Sequence, residues 1–354
     1  SEYSNDRFID ADFLSVDYLT TTYGSDYEQF SQEFRIASPT EGRFNYIAGL
    51  LYLDGTLDFD SITDSSFPPP YTVGPLPIDN ASRRFYTQDT ELWSVFGQGT
   101  LDLGERWRVT VGLRYTDEEK DAVWERVWLR SGGPLADVLA SLFTPVVPAT
   151  PLNRQEDNLD GSVNLQYDIS DDTMAFASWA TASKSGGFST EVALPAEAEY
   201  DTEEAETVEL GFKWSIAGGG ALLNASLFYT EIDDFQIVSF VGTGFQLDSV
   251  PAESQGVEFE GRWLAAPGLL LAASATYAEA ENTDDGLRLP YAPEWSGNLN
   301  LSYARPWSCA PLQGKLDGQL NYRGEQFNPC GGTVEDVALV RVGRRLGRAA
   351  KPGW

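Results

Sequence analysis

The stretch Trp107-Arg108-Val109-Thr110-Val111-Gly112-Leu113-Arg114-Tyr115 decides the fold. Its odd positions are large and apolar or aromatic, and its even positions are charged, hydroxylated or Gly. An exact alternation of this kind is the period of a β-strand with one greasy and one wet face. It returns at Leu159-Gly161-Val163-Leu165-Tyr167 against Asp160, Ser162, Asn164 and Gln166, and at Trp295-Gly297-Leu299-Leu301-Tyr303 against Ser296, Asn298, Asn300 and Ser302. Similar runs near 27–37, 43–53, 91–103, 174–182, 206–214, 221–230, 256–263, 269–278, 315–323 and, less clearly, 337–343 bring the total to about thirteen strands.

The connections alternate in length. Short ones fall near 38–42, 104–106, 168–172, 215–220, 264–268 and 304–314; long ones near 54–90, 116–157, 183–205, 231–255, 279–292 and 324–336. Outer-membrane barrels pair short periplasmic turns with long extracellular loops in this way. If the short turns are periplasmic, Trp107, Tyr167, Trp214, Trp263 and Tyr303 end their strands at the periplasmic rim. Trp93, Tyr115, Tyr229, Tyr277, Trp295 and Tyr322 then sit at the extracellular rim. Two aromatic girdles result. Trp107 and Tyr115 are separated by eight positions, which at about 3.3 Å per residue and a tilt of about 40° spans roughly 20 Å, the height of the apolar band of an outer membrane. A soluble sandwich would instead bury the same apolar face in protein. The opposite face, with Arg108, Arg114, Lys213, Glu258, Glu260, Arg262 and Arg323, suits a wet lumen better than a dry core.

Composition narrows the function. The 54 Asp+Glu against 24 Lys+Arg give a formal charge of −30, which opposes nucleic-acid binding. With no His in the chain, Ser-His-Asp triads and His-ligated zinc sites are excluded. Two Cys are too few for a disulfide scaffold. Cys309 and Cys330 flank the run at 315–323 and are expected at opposite rims, beyond the roughly 7 Å that a bridge spans. The longest mostly apolar stretch, Leu264 to Ala278, contains Pro267 and Gly268 and is too short for a spanning helix. Within the long connections, Leu135, Val138, Leu139 and Leu142 have helical spacing, and Phe67-Pro68-Pro69-Pro70-Tyr71 is expected to be extended.

The residues also carry a family likeness. Phe176-Ala177-Ser178-Trp179-Ala180-Thr181-Ala182-Ser183-Lys184-Ser185-Gly186-Gly187-Phe188 resembles the "YASYxxGFKSGGF" run of TonB-dependent receptors. Glu204-Ala205-Glu206-Thr207-Val208-Glu209-Leu210-Gly211-Phe212-Lys213 resembles their next landmark, "PExVxxYExGxK". The run from Leu223 to Gln236 is similar to the family's "LNxAxFYxxYxDxQ", and Ser254 to Glu260 to its "xxGxExE" strand. Ser31 to Ile36 and Val95 to Gln98 resemble further landmarks, so the likeness reaches from near the start to about residue 340. Ala182 and Ser183 depart from the family's Gly and aromatic.

The resemblance implies a fold and a function. The chain would be the C-terminal part of an all-β, antiparallel transmembrane barrel, about thirteen strands of an expected twenty-two, with plug, TonB box and early strands not represented. It implies a non-enzymatic importer in the bacterial outer membrane, in contact with its lipid, coupled to the TonB complex through the missing N-terminal region and needing no cofactor. The implied ligand is a ferric siderophore or other iron chelate, with cobalamin or oligosaccharide as alternatives. Ligand-contact candidates are Arg108, Arg114, Lys184, Lys213, Arg262 and Arg323; pairing of the lumen arginines with Glu258 and Glu260, to keep a wet wall rigid, is the favoured reading over ligand contact. Asp233-Asp234 and Asp284-Asp285 could hold Ca²⁺ through hard oxygen ligands, or simply be solvated.

Two other functions fit parts of the pattern: a passive porin on the same barrel, and a secreted β-rich carbohydrate-active protein using paired carboxylates. The start, Ser1-Glu2-Tyr3, has neither initiator Met nor export signal, so a processed or truncated chain is expected. The segment 341–354 has five basic and no acidic residues, loses the alternation and contains Pro352. A truncation or frameshift near residue 340 is therefore expected, with barrel residues ending there.

Overall fold

The computed structural model describes residues 1–10, 19–67, 78–133, 137–138, 141, 144–190, 192–216, 218–240, 245–306, 312–328, 332–334 and 337–348. The strands in chain order are β1 (Glu2–Asp10), β2 (Leu19–Ala37), β3 (Phe44–Phe67), β4 (Ile78–Leu103), β5 (Trp107–Arg130), β6 (Val147–Ser170) and β7 (Thr173–Lys184). Two short strands follow, β8 (Gly187–Phe188) and β9 (Glu199–Tyr200), with a 3₁₀ turn at Pro195–Glu197 between them. Then come β10 (Glu203–Ile216), β11 (Ala221–Phe240), β12 (Phe245–Ala266), β13 (Leu269–Asn282), β14 (Trp295–Pro306), β15 (Leu312–Arg323), β16 (Gln326–Asn328), β17 (Gly332–Val334) and β18 (Val337–Arg348). Fourteen of them form one antiparallel sheet in the order β1-β2-β3-β4-β5-β6-β7-β10-β11-β12-β13-β14-β15-β18, each strand beside its sequence neighbour in the sheet.

All thirteen strands read from the sequence are present, and β1 adds a fourteenth. Their lengths differ from the reading. β3, β4, β5 and β6 run for 24, 26, 24 and 24 residues, far longer than the 9–11 residues a bilayer needs. The connection read at 54–90 is mostly a hairpin, paired from Asp54↔Glu91 to Phe67↔Ile78. Backbone hydrogen bonding continues above the membrane, where the outward face turns acidic, the first inward residues are polar too, and the alternation of hydrophobicity fades. Asp137 and Val138 are helical, and the Asp137 amide donates to the Gly133 carbonyl; Leu135, Leu139, Leu142, the Pro68–Pro70 run, Cys309 and Cys330 lie outside the described residues. β18 pairs with β15 from Val337↔Arg323 to Arg348↔Leu312, so the sheet continues through the basic segment past the boundary expected at 340.

The apolar face is uncovered. Trp107, Val111, Leu113, Leu159, Leu210, Trp214, Trp263 and Trp295 are exposed to between 44% and 67%. The soluble carbohydrate-active reading needs that face buried, and among the described residues nothing covers it. The girdle residues meet across strands: Trp93 with Tyr115 at 5.7 Å between ring centroids, Trp107 with Tyr167 at 4.5 Å, and Tyr277 with Trp295 at 4.9 Å. Just above the extracellular girdle the same outer face becomes acidic. Like charges stand directly opposite one another at Glu91↔Glu119, Asp89↔Asp121, Asp117↔Asp157, Glu231↔Glu253 and Glu253↔Glu281. Much of the chain's acidity is thus on the outside of the wall rather than in its mouth.

On the inner face, three phenylalanines lie across glycines of the neighbouring strand: Phe96 over Gly49, Phe176 over Gly211 and Phe228 over Gly256. A Cβ at these glycines would come within 2.6, 2.6 and 2.8 Å of the facing ring. Glycine here admits the ring, which in turn shields the glycine's exposed backbone.

Candidate functional site at the extracellular mouth

Above the girdle, the inner faces of β4, β5 and β6 carry the substantial buried core of the described residues. Positions 121–126 alternate exposed and covered: Ala122, Trp124 and Arg126 are buried, while Asp121 and Val123 are exposed. The even positions that face the lumen lower on β5 continue upward as Glu118, Lys120, Ala122, Trp124 and Arg126. What covers them is the segment of residues 185–190 and 192–202, between β7 and β10. Its Phe188, Val192 and Ala198 pack with Tyr86, Ala122, Trp124 and Val147, and Leu57, Phe59 and Leu152 close the edge. The segment therefore folds inward, across the mouth, instead of projecting into solvent.

Three cations hold it. The Lys120 ammonium donates to the Gly186 carbonyl at 2.6 Å. The Arg126 guanidinium donates to the Ala193 carbonyl at 2.9 Å and to the Val192 carbonyl at 3.4 Å, and it lies 4.7 Å from the Trp124 ring centroid. Arg154 is the hub: it donates to Glu156 (2.8 Å), Glu199 (3.1 Å), Asp201 (3.4 Å) and the Thr202 hydroxyl (3.2 Å). Its side chain is only 12% exposed. Burial works to raise the Glu156 pKa, but the Thr202 hydroxyl and the Arg154 guanidinium prevail and hold it below the usual carboxylate range. Burial pushes the phenols of Tyr86 and Tyr200 up, so both stay protonated at neutral pH.

The cations expected to contact ligand are spread along the wall, with Lys184 directly beside the inward-folded segment. Arg108, near the periplasmic rim, bonds Asp102 at 3.2 Å and Gln166 at 2.8 Å. Arg114 donates to the Thr116 hydroxyl at 3.3 Å. Lys184 pairs with Glu203 at 3.1 Å. Lys213 lies 5.6 Å over the Phe176 ring and shares an inner-wall groove of about 660 Å³ with Glu209, Glu258 and Glu260. Arg262 stands across from Leu222 and Ala272, and Arg323 across from Ser296 and Val337. These six residues are spread over β5, β7, β10, β12 and β15. Arg154, Lys120 and Arg126 were missed, although their even spacing on β5 and β6 continues the lumen face and signalled it.

The acidic pairs are also accounted for. Asp234 has a positive φ of 53° at a register shift in β11, so Asp233-Asp234 marks a bulge within a strand. The Asp285 carboxylate accepts the Leu287 amide at 2.9 Å and caps a turn. Among the described residues no group of three or more acidic or Cys side chains is placed to hold a metal ion.

A girdled antiparallel wall with short turns at one rim and long hairpins and an inward-folded segment at the other defines an outer-membrane β-barrel of the receptor class. The family description "TonB dependent receptor-like, beta-barrel" matches residues 1–346, and the chain belongs to that family. It is therefore part of an outer-membrane β-barrel wall. The pesticin receptor of Yersinia enterocolitica is 23% identical over 219 residues, covering 60% of this chain and 30% of the relative. Among solved structures, the ferric yersiniabactin uptake receptor FyuA from Yersinia pestis superposes with a TM-score of 0.72 at 20% identity, covering 94% of this chain and 48% of that one. The copper transporter OprC superposes with a TM-score of 0.65 at 14% identity, covering 91% and 48%. At these identities the superpositions show the fold alone, and the chain spans about half the length of these structures.

Proposed function

We propose that the chain is the C-terminal wall of an active-transport receptor that takes up a ferric siderophore or similar iron complex, energised by TonB through a region that this sequence does not include. The observation that carries the reading is the mouth. The extracellular hairpins of β3 to β6 rise well above the girdle, and the segment of residues 185–190 and 192–202 is folded in against them, which builds a recognition surface instead of an unobstructed pore. The ferric yersiniabactin receptor among the structural neighbours and the iron chelates of the wider family support iron as cargo. Arg114, Lys184 and Arg323, nearest the extracellular rim, are the ligand-contact candidates of the original six; Arg108, Lys213 and Arg262 lie deeper and serve the wall.

The test uses the full-length gene. Radio-iron accumulation from a panel of ferric chelates, measured in iron-limited cells, is expected to fall to background on deleting either the receptor gene or the gene for TonB. Uptake of a carbohydrate or cobalamin that depends on the receptor, with no chelate transported, would overturn the iron assignment. Uptake that persists without TonB would favour the passive porin.

A further inference from the structure

We propose that Arg154 is a positioning residue that keeps residues 185–190 and 192–202 as a fixed strap against the inner wall of the mouth, so that ligand enters past the strap's exposed Leu194 and the Pro195–Glu197 turn. The ligand's entry rests on the transport reading, while the fixed seat of the strap is tested by labelling alone, whatever the cargo. Three observations converge on it.

The first is that the guanidinium ties four groups: Glu156 on its own strand, Glu199 on β9, and Asp201 and Thr202 where the strap rejoins β10. The second is that the strap's other end is built around the same side chain. A Cβ at Gly186 would lie 2.5 Å from the Arg154 guanidinium, and one at Gly187 would lie 2.8 Å from the Tyr200 hydroxyl. The Gly186-Gly187 pair is thus small because Arg154 and Tyr200 pass over it. The third is the apolar face beneath: Ala198 is fully buried, Val192 is 3% exposed, and Leu194 between them is 41% exposed. A segment resting on solvent would not sort its side chains this way. A lid that opens on each transport cycle would have to expose this apolar face to water and break the Arg154 bonds to Glu199, Asp201 and Thr202 together; the strap is therefore a standing part of the mouth.

The experiment uses the full-length receptor in intact cells, with native cysteines replaced and single cysteines introduced at Ala198 or Leu194. The readout is the rate of labelling by a membrane-impermeant maleimide, taken as the A198C to L194C ratio so that thiol chemistry cancels. The ratio is expected to be far below one. Arg154→Ala should raise it at least about tenfold, as loss of charged hydrogen bonds implies, and Gly186→Ala should raise it by displacing the guanidinium. The double substitution should add little to either alone, because both remove one interaction. Arg154→Lys, which keeps the charge but lacks the fork, should fall between.

Acidification supplies a readout that a merely packed loop would not move. The groups facing Arg154 and Glu156 are Glu118 and Lys120 from β5, Glu199 and Tyr200 from β9, and Asp201. Since the Glu156 pKa is lowered by folding, its contribution is present above the ordinary carboxylate pKa and is lost as pH falls through the depressed value. The ratio should therefore rise on acidification in the unaltered receptor and stay flat in Arg154→Ala. An A198C that labels as fast as L194C would overturn the strap. A ratio unchanged by both Arg154→Ala and Gly186→Ala, in receptors that remain heat-modifiable, would overturn the role of Arg154.

Discussion

Placing an arginine at Val111 should measure directly what covers the apolar face. Val111 is 44% exposed and lies midway between Trp107 and Tyr115, four residues from each. At about 3.3 Å per residue and a tilt of about 40°, it sits roughly 10 Å from either rim, at the bilayer midplane. A lipid-facing arginine there costs about 2–4 kcal/mol, against about 0–1 kcal/mol near an interface. Val111→Arg should therefore destabilise the full-length receptor by about 2–4 kcal/mol, while Leu103→Arg, beside Trp107 at the periplasmic rim, should cost no more than about 1 kcal/mol. Thr110 supplies the control for the other face. Its hydroxyl shares a 2.9 Å hydrogen bond with that of Thr100, so Thr110→Arg should cost only about 1 kcal/mol for the lost bond. Reversible urea unfolding in lipid vesicles, followed by tryptophan fluorescence, gives all three values. If Thr110→Arg proves costlier than Val111→Arg, the assignment of faces is reversed and the reasoning fails.

Gly211→Ala should destabilise by about 1–3 kcal/mol through overpacking, since its Cβ would lie 2.6 Å from Phe176 and 2.7 Å from the Ala225 carbonyl; adding Phe176→Leu should recover part of this, and a neutral Gly211→Ala in the same unfolding assay would contradict the ring-on-glycine account. Raising salt from about 0.01 M to 0.5 M shortens the screening length severalfold. It should slow proteolysis of the β4–β6 hairpins by relieving the opposed pairs Glu91↔Glu119 and Asp117↔Asp157; cleavage that speeds up with salt would show that attraction dominates there instead.

The fold was legible where the bilayer imposed a contrast and obscure where it did not. From Trp107 to Tyr115 one face must meet lipid and the other water, so the alternation is written in residue type. Past Tyr115 the outward face meets water and the inward face stays polar as far as Lys120 although it is covered, so Asp117, Glu119 and Asp121 alternate with Thr116, Glu118 and Lys120. That is a polar run on both sides and it reads as loop, although its backbone remains in the ladder. β1, Glu2-Tyr3-Ser4-Asn5-Asp6-Arg7-Phe8-Ile9-Asp10, was missed because its composition hides any periodicity. The mouth was hardest to read because its core is made by residues far apart in sequence: Tyr86, Trp124 and Phe188 meet only after three hairpins have formed. The six cations chosen as ligand contacts were selected by charge and face. Neither property shows that Arg108 and Lys184 each find a carboxylate within bonding distance.

The central claim, that these strands form a lipid-facing wall ending in a polar extracellular extension, is tested most directly by a nitroxide scan of β5 from Trp107 to Val123 in the full-length receptor in lipid vesicles. The account predicts that collisions with oxygen peak at Val109, Val111 and Leu113, and that collisions with a water-soluble nickel chelate peak at Thr110, Gly112 and Arg114. At Asp117, Glu119 and Asp121 the same outward face should switch to the nickel reagent. Oxygen accessibility without period two from 107 to 115, or persisting on the outward face through Asp121, would contradict it.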